Sequence, residues 1–180
     1  MSSDLYIIPE CYADTLLVES LAHPKQGYNH QKGSGTVGRK MQTVFQNQFA
    51  LGIIDKDEKT LDYLKNHFKL VIQGNEIQLW RHKEDTIHQW IIQICPELEP
   101  WLLKRATESG LTETNFSFLT NRKSIDKRLK SLTSKRDQEI RNFYNELIRR
   151  NNPIILKLQS WIIYLKQKQY LAIIEDIERF

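Results

Sequence analysis

The run FALGIID, from Phe49 to Asp55, places the tightest constraint on what this chain can fold into. It is almost continuously apolar and stops abruptly at the charged residues Asp55, Lys56 and Asp57. A strand with no polar face is covered on both sides, which is typical of a parallel sheet flanked by helices. The run therefore predicts an α/β fold with a strand over Ala50 to Ile54.

A second strand is expected near the start of the chain. Residues 4–9, DLYIIP, form a short β-rich run closed by proline, and ADTLLVESLA then changes to helical spacing. Asp14 or Thr15 is the expected N-cap of that helix. We predict that Leu5 to Ile8 and Ala50 to Ile54 are neighbouring parallel strands.

The other predicted elements follow from periodicity and turn residues. They are a glycine-rich loop over 23–38, a helix from about Thr36 to Gln48, a helix over 58–68, and a hairpin of KLVIQ and EIQLW around Gly74-Asn75. From Lys83 onward only helical periodicity is visible, including IHQWIIQI at 87–94. We therefore expect an α/β core over 1–82, followed by a helical region over 83–180 that packs on it.

Length and composition favour an ordinary globular protein. A chain of 180 residues, 40% hydrophobic and 27% charged, can bury a core without help from metals or disulfides. Cys11 and Cys95 are too few for a disulfide framework or a cysteine-rich zinc site, and they suit a reducing cytoplasm. No apolar run approaches the roughly 18 residues needed to cross a bilayer, so a cytoplasmic protein without a membrane contact is expected.

Acidic residues follow both predicted strands. Glu10 and Asp14 come after the first strand, and Asp55 and Asp57 come after the second. Functional groups converge beyond the carboxyl ends of adjacent parallel strands, where gathered carboxylates repel one another unless a cation lies between them. An oxygen-rich site favours Mg²⁺ or Mn²⁺ over zinc. The alternative is that these residues merely cap the helices that follow.

Two stretches carry a resemblance to a known family. YIIPECYAD, residues 6–14, resembles the first motif of the Toprim family, and ALGIIDKD, residues 50–57, resembles its second, Asp-x-Asp motif. The similarity covers about residues 4–80. It implies that Glu10 is a metal ligand or general acid/base and that Asp55 and Asp57 coordinate Mg²⁺. By the same resemblance Asp14 is a second-site ligand, or else it caps the following helix.

The resemblance implies a Mg²⁺-dependent nuclease that acts on DNA or RNA, as a subunit of a nucleic-acid-processing or defence assembly. One residue departs from the motif, because Cys11 stands where a glycine commonly follows the glutamate. A side chain there alters how closely the backbone can approach a phosphate or metal. The alternative is therefore a non-catalytic nucleic-acid-binding or assembly module on the same scaffold. A nucleotidyl transferase or primase fragment is less favoured, since no nucleotide-binding element accompanies the carboxylates.

A basic, glycine-rich segment is a candidate phosphate contact. Residues 29–40, NHQKGSGTVGRK, combine backbone N–H groups with four cationic or ionisable side chains: His30, Lys32, Arg39 and Lys40. The spacing is not that of a P-loop, and a flexible connector is the alternative. With no Walker motif in the chain, an ATP-driven step would need a protein partner such as an ATPase.

Positive charge is concentrated in the second half of the chain. Residues 121–150 contain ten Lys or Arg and four Asp or Glu, a difference of +6 against +4 for the whole chain. A basic helix there, with Lys127, Arg128 and Lys135, can neutralise nucleic-acid phosphates without reading sequence. A solvated helical face is the alternative. The apolar segment over 153–174 is expected to pack on the core or to form a partner or homo-oligomer interface.

Overall fold

In the computed structural model, which describes residues 4–56, 62–132 and 136–180, five strands form one sheet. The strands are β1 (Ile7–Pro9), β2 (Ala50–Asp55), β3 (Phe68–Ile72), β4 (Ile77–His82) and β5 (Gln89–Ile94). Their order across the sheet is β1-β2-β5-β4-β3. The predicted α/β class is confirmed.

Helices cover both faces of this sheet within the described ranges. They are α1 (Tyr12–Leu21), α2 (Ser34–Thr43), α3 (Asp62–His67), α4 (Leu98–Glu108), α5 (Arg122–Lys130), α6 (Gln138–Arg149), α7 (Pro153–Lys168) and α8 (Ile174–Ile177). Short 3-10 turns lie at Ser117–Thr120 and Gln169–Leu171. None of the described helices is long and apolar enough to cross a membrane.

The predicted pairing of the first two strands is confirmed. β1 runs parallel to β2, with Ile7 opposite Leu51 and Pro9 opposite Ile53. β1 is shorter than the predicted run because residues 4–6 form a bend and turn before the strand begins at Ile7. Both strands end at the same edge of the sheet, so Glu10, which follows β1, and Asp55, which ends β2, are brought to one place.

The helix predicted over 87–94 is wrong, because this segment is the central strand β5. It pairs in parallel with β2 on one side and antiparallel with β4 on the other. All six of its residues are buried. The sheet thus extends beyond residue 82, where we expected a helical region to begin, as far as Ile94.

The hairpin of β3 and β4 is confirmed as an antiparallel extension at the far edge of the sheet. The predicted helix over 36–48 is shorter and earlier, because α2 begins at Ser34 and ends at Thr43. The basic stretch over 121–150 is divided between α5 and α6 rather than forming one helix.

Two cores lie on opposite faces of the sheet. On one face α2 and α3 pack through Val37, Met41 and Leu64 against Ile54 and other residues of the parallel strands. A Cβ on Gly52 of β2 would lie 3.0 Å from the Met41 sulfur, so a glycine there lets α2 approach closely. On the other face α1, α4, α5, α6 and α7 share a single larger core with the sheet.

Candidate functional site

A pocket of about 680 Å³ lies at the carboxyl ends of the parallel strands. It is lined by residues that follow β1, β2 and β5, by the loop before α2, and by α5. Six carboxylates line it: Glu10, Asp14, Asp55, Glu97, Glu99 and Asp126. Lys32, Arg122 and Lys130 are its lysine and arginine residues, and His30 also lines it. Among the described residues that line the pocket, carboxylates therefore outnumber lysine and arginine side chains.

Glu10 is buried and held in place by the backbone. Its Oε1 accepts a hydrogen bond from the Ser34 N–H at 2.9 Å, and its Oε2 accepts one from the Asp55 N–H at 3.2 Å. The Glu10 backbone also pairs with Ile53 and Gly33. These contacts join the end of β1 to the end of β2 and to the start of α2, so the position of the Glu10 carboxylate is closely determined.

Asp55 is the last residue of β2 and is the immediate neighbour of Glu10 at this edge. Its Oδ2 accepts a hydrogen bond from the N–H of Leu98, the first residue of α4, at 3.3 Å. The predicted proximity of Glu10 and Asp55 is therefore confirmed. Asp57, the third residue of the expected group, lies outside the described residues.

Asp14 takes part in a capping box at the start of α1. The N-cap is Cys11, whose sulfur accepts from the Asp14 N–H at 3.5 Å, while the Asp14 Oδ2 accepts from the Cys11 N–H at 3.0 Å. Asp14 is thus the third helical residue rather than the predicted N-cap. Burial, followed by the charge of Asp14, raises the pKa of the Cys11 thiol, which stays protonated at neutral pH.

The second oxygen of the Asp14 carboxyl group is unusual. Oδ1 is buried and has no hydrogen-bond partner within the described ranges, and the whole residue is 2% exposed. Burial, opposed by the hydrogen bonds from Cys11 and assisted by the charge of Asp55, raises the pKa of Asp14 to about 7. The group therefore carries a proton below neutral pH.

The loop before α2 brings two of its predicted phosphate contacts to the pocket. His30 stacks on the Tyr12 ring with centroids 3.9 Å apart, and its Nδ1 lies 3.4 Å from the Thr15 hydroxyl. Lys32 is exposed at the pocket edge. Arg39 and Lys40 lie further along, on α2, and are not among the residues that line the pocket.

The predicted nucleic-acid contacts in the basic stretch have different surroundings. Lys127 is exposed on α5, but it does not line the pocket. Arg128 forms ion pairs with Asp137 and Glu139 at 2.8 and 3.0 Å, so it links α5 to the start of α6. Lys135 lies outside the described residues.

Comparisons with protein-family models, curated proteins and solved structures find no significant match.

Several pocket residues were missed by sequence reasoning. Glu97 and Glu99 follow β5 at the start of α4, and Arg122, Asp126 and Lys130 come from α5. The signal for Glu97 was available, because it follows the third parallel strand, just as Glu10 follows β1 and Asp55 ends β2. It was hidden by the helical interpretation of β5. No comparable signal exists for α5, which reaches the pocket only through tertiary packing.

The donor chemistry of Glu10 and Asp55 fits a hard divalent cation, which prefers carboxylate oxygen. A single backbone N–H does not by itself occupy both lone pairs of a carboxylate oxygen, so these hydrogen bonds do not exclude a role as metal ligands. No group of three His, Cys, Asp or Glu side chains suited to a metal ion occurs within residues 4–56, 62–132 and 136–180. Of the three expected ligands, Glu10 and Asp55 lie next to each other in the pocket, and Asp57 lies outside the described residues.

Proposed function

We propose that the protein is a Toprim-like, Mg²⁺- or Mn²⁺-dependent nuclease that hydrolyses phosphodiester bonds of DNA or RNA. The observation that carries this proposal is the meeting of Glu10 and Asp55 at the carboxyl ends of adjacent parallel strands, inside one pocket. The order of the motifs and the two helices between the strands agree with the Toprim resemblance. In this proposal Glu10, Asp55 and Asp57 hold the cation, and Asp14 serves as a capping residue.

The charge of the pocket supports a requirement for metal. Among the described residues that line the pocket, six carboxylates against three Lys or Arg side chains leave an excess of negative charge, even when Asp14 is protonated. A phosphate group brought to these carboxylates would be repelled by them. A divalent cation held by Glu10 and Asp55 would offset that repulsion, orient the scissile phosphate and stabilise the charge that develops on its oxygens.

Groups of the protein itself can fix the Glu10 carboxylate in place and transfer a proton. The two backbone N–H groups that bind Glu10 fix its carboxylate before substrate arrives, which is the preorganisation that catalysis requires. Glu10 can then hold a cation or accept a proton from the attacking water. His30 lies at the pocket wall, where its ring stacks on Tyr12 and its Nδ1 lies 3.4 Å from the Thr15 hydroxyl.

One observation favours the second candidate, a nucleic-acid-binding or assembly module without catalysis. Both oxygens of Glu10 accept backbone hydrogen bonds, so this residue has a structural role that would retain it in an inactive protein. Cys11, in place of the motif glycine, caps α1 with its side chain. In this candidate the carboxylates hold elements together, and cationic side chains provide the contacts to nucleic acid.

A cleavage assay separates the two candidates. Labelled single-stranded and duplex DNA and RNA are incubated with the protein in Mg²⁺ or Mn²⁺ and in EDTA. The variant is Asp55→Asn, which keeps the shape of the side chain and can still accept the Leu98 N–H. The matched control is Asp85→Asn, at an exposed carboxylate that pairs only weakly with Arg81.

The proposal predicts metal-dependent cleavage by the wild type and by Asp85→Asn, and a loss of at least a hundredfold in rate for Asp55→Asn, equivalent to about 2.7 kcal/mol. Asp55 is chosen over Glu10 because replacing Glu10 would also remove hydrogen bonds to the start of α2 and to the end of β2. Binding without cleavage in any metal would support the module and overturn the nuclease.

A further inference from the structure

Helix α5 forms one wall of the pocket with a charged face. Arg122, Asp126 and Lys130 are four residues apart, so they lie along one side of the helix, and all three line the pocket. Ile125 and Leu129 are buried and anchor the helix to the larger core. The helix begins at the Asn121 cap, whose Oδ1 accepts from the Ser124 N–H at 3.0 Å. The wall is therefore built on a fixed helix rather than on a loop.

The two cations of this wall form exchangeable ion pairs. Arg122 pairs with Glu97, and Lys130 pairs with Asp126 at 2.6 Å. Their side chains are 64% and 71% exposed. Exposed ion pairs of this kind contribute little to stability, so a phosphate can replace the carboxylate partner at small cost. Arg128 differs, because it is only 25% exposed and binds two acidic residues at once.

Arg122 and Lys130 are further apart along α5 than two successive nucleotides of a strand are along a duplex. Eight residues separate Arg122 from Lys130, which is about 12 Å along the helix axis at about 1.5 Å per residue. A nucleic-acid strand advances about 3.4 Å per nucleotide in a duplex. The two side chains would therefore contact different phosphates of one strand. Lys32, on the loop before α2, adds a third cation from a separate element.

We infer that Arg122 and Lys130 bind the phosphates that flank the scissile one, and that the substrate is a polynucleotide strand rather than a mononucleotide or small phosphodiester. This inference rests on the proposed function and adds to it the residues that engage the substrate. The acidic part of the pocket receives one phosphate together with its cation. The wall of α5 then holds the neighbouring phosphates, away from the carboxylates.

The same helix provides a matched control. Lys123 and Lys127 are exposed on α5 and carry the same charge, but they do not line the pocket. Single Arg122→Gln and Lys130→Gln variants are compared with Lys123→Gln and Lys127→Gln. Because all four side chains are exposed, folding should be retained, and the melting temperature of each variant checks this.

The measurement is the affinity of a labelled oligonucleotide in Ca²⁺, over a series of salt concentrations, together with cleavage in Mg²⁺. We expect Arg122→Gln and Lys130→Gln each to weaken binding about tenfold, equivalent to about 1.4 kcal/mol, and to reduce the salt slope by roughly one. Their activity on bis(p-nitrophenyl) phosphate, which has no flanking phosphates, should equal that of the wild type. The Lys123 and Lys127 variants should bind as the wild type does.

Three results would overturn the inference. Equal affinity in all four variants, or an equal loss in all four, would show that the pocket wall has no special part in binding. Loss of activity on bis(p-nitrophenyl) phosphate as well would indicate a general disturbance of the site. In these cases metal-dependent cleavage that is abolished by Asp55→Asn would leave the proposed function intact. A wild type that neither binds nor cleaves any nucleic acid would refute the proposed function and the inference together.

Discussion

The carboxyl group of Asp14 takes part in the capping of α1, and Asp14 also lines the pocket. Its Oδ2 completes the capping box with Cys11, while its buried Oδ1 has no partner within the described part of the chain. Burial is the largest cause of its raised pKa, and the charge of Asp55 adds to it. A carboxylic acid with a pKa of about 7 binds its proton more tightly in the folded chain than in the unfolded chain, where the pKa is near 3.8.

This difference predicts how stability depends on pH. Between about pH 4 and 7 the folded state holds a proton that the unfolded state has lost, so the free energy of unfolding decreases as the pH rises. Asp14→Asn cannot ionise, and its side-chain oxygen can still accept from Cys11. In EDTA, the variant should therefore gain stability relative to the wild type across this range, by on the order of a few kcal/mol. Urea denaturation at several pH values measures the difference, and a constant difference between pH 4 and 8 would contradict the account.

At the residue scale, a functional residue could be predicted from the sequence only where it lies at the end of a recognisable strand. Glu10 and Asp55 were identified because they end two apolar strands, which is a local property of the sequence. The hydrogen bonds from Ser34 and Leu98 could not be predicted, because they depend on where α2 and α4 begin in three dimensions. The cap of α1 was predicted at Asp14 or Thr15, since cysteine is not among the usual N-cap residues.

At the level of elements, β5 explains the main error of the sequence interpretation. IHQWIIQI contains polar residues four apart, Gln89 and Gln93, and this spacing is typical of an amphipathic helix. In the structure both residues are buried in a central strand. The Gln89 side chain donates to the carbonyls of Met41 and Phe45 and accepts from the Tyr63 hydroxyl. A buried glutamine is tolerated there because its amide group is fully engaged.

Gln89 should therefore make a large contribution to stability. Gln89→Leu removes the partner of the Tyr63 hydroxyl and of the Met41 carbonyl in the interior of the protein, and it leaves the Phe45 carbonyl with only the Gln48 N–H. Unsatisfied buried groups cost about 1–3 kcal/mol each, so we expect a loss of roughly 3 kcal/mol or more in the free energy of unfolding. Chemical denaturation measures this loss.

Gln93→Leu is the matched control for this prediction. Gln93 is also buried in β5, but its side chain has no hydrogen bond to another described residue. The Gln93 variant should lose much less stability than the Gln89 variant. Equal losses in the free energy of unfolding would mean that the hydrogen bonds of Gln89 do not stabilise the packing of α2 and α3 on β5.

At the level of the whole molecule, the sheet and the later helices form one unit. α6 and α7 pack against α1, and the Arg141 side chain of α6 pairs with the largely buried Glu19. The sequence predicted an α/β part followed by helices, because periodicity reveals each segment separately, but it ended the α/β part at residue 82, before β5. It could not show that α5 reaches the carboxyl ends of the strands, because that contact is set by packing between distant segments. The pocket consequently combines carboxylates from the sheet edge with cations from the helical part.

The central claim is that the Glu10 and Asp55 carboxylates bind a divalent cation, and thermal melts with and without Mg²⁺ or Mn²⁺ test it most directly. A ligand that binds only the folded state stabilises it by about 2.7 kcal/mol at a hundredfold excess over its dissociation constant. The wild type and the Asp85→Asn control should therefore melt at a higher temperature in metal than in EDTA, while Asp55→Asn should show little change. A wild type that melts at the same temperature in metal and in EDTA, or an Asp55→Asn variant that responds as strongly as the wild type, would contradict the account.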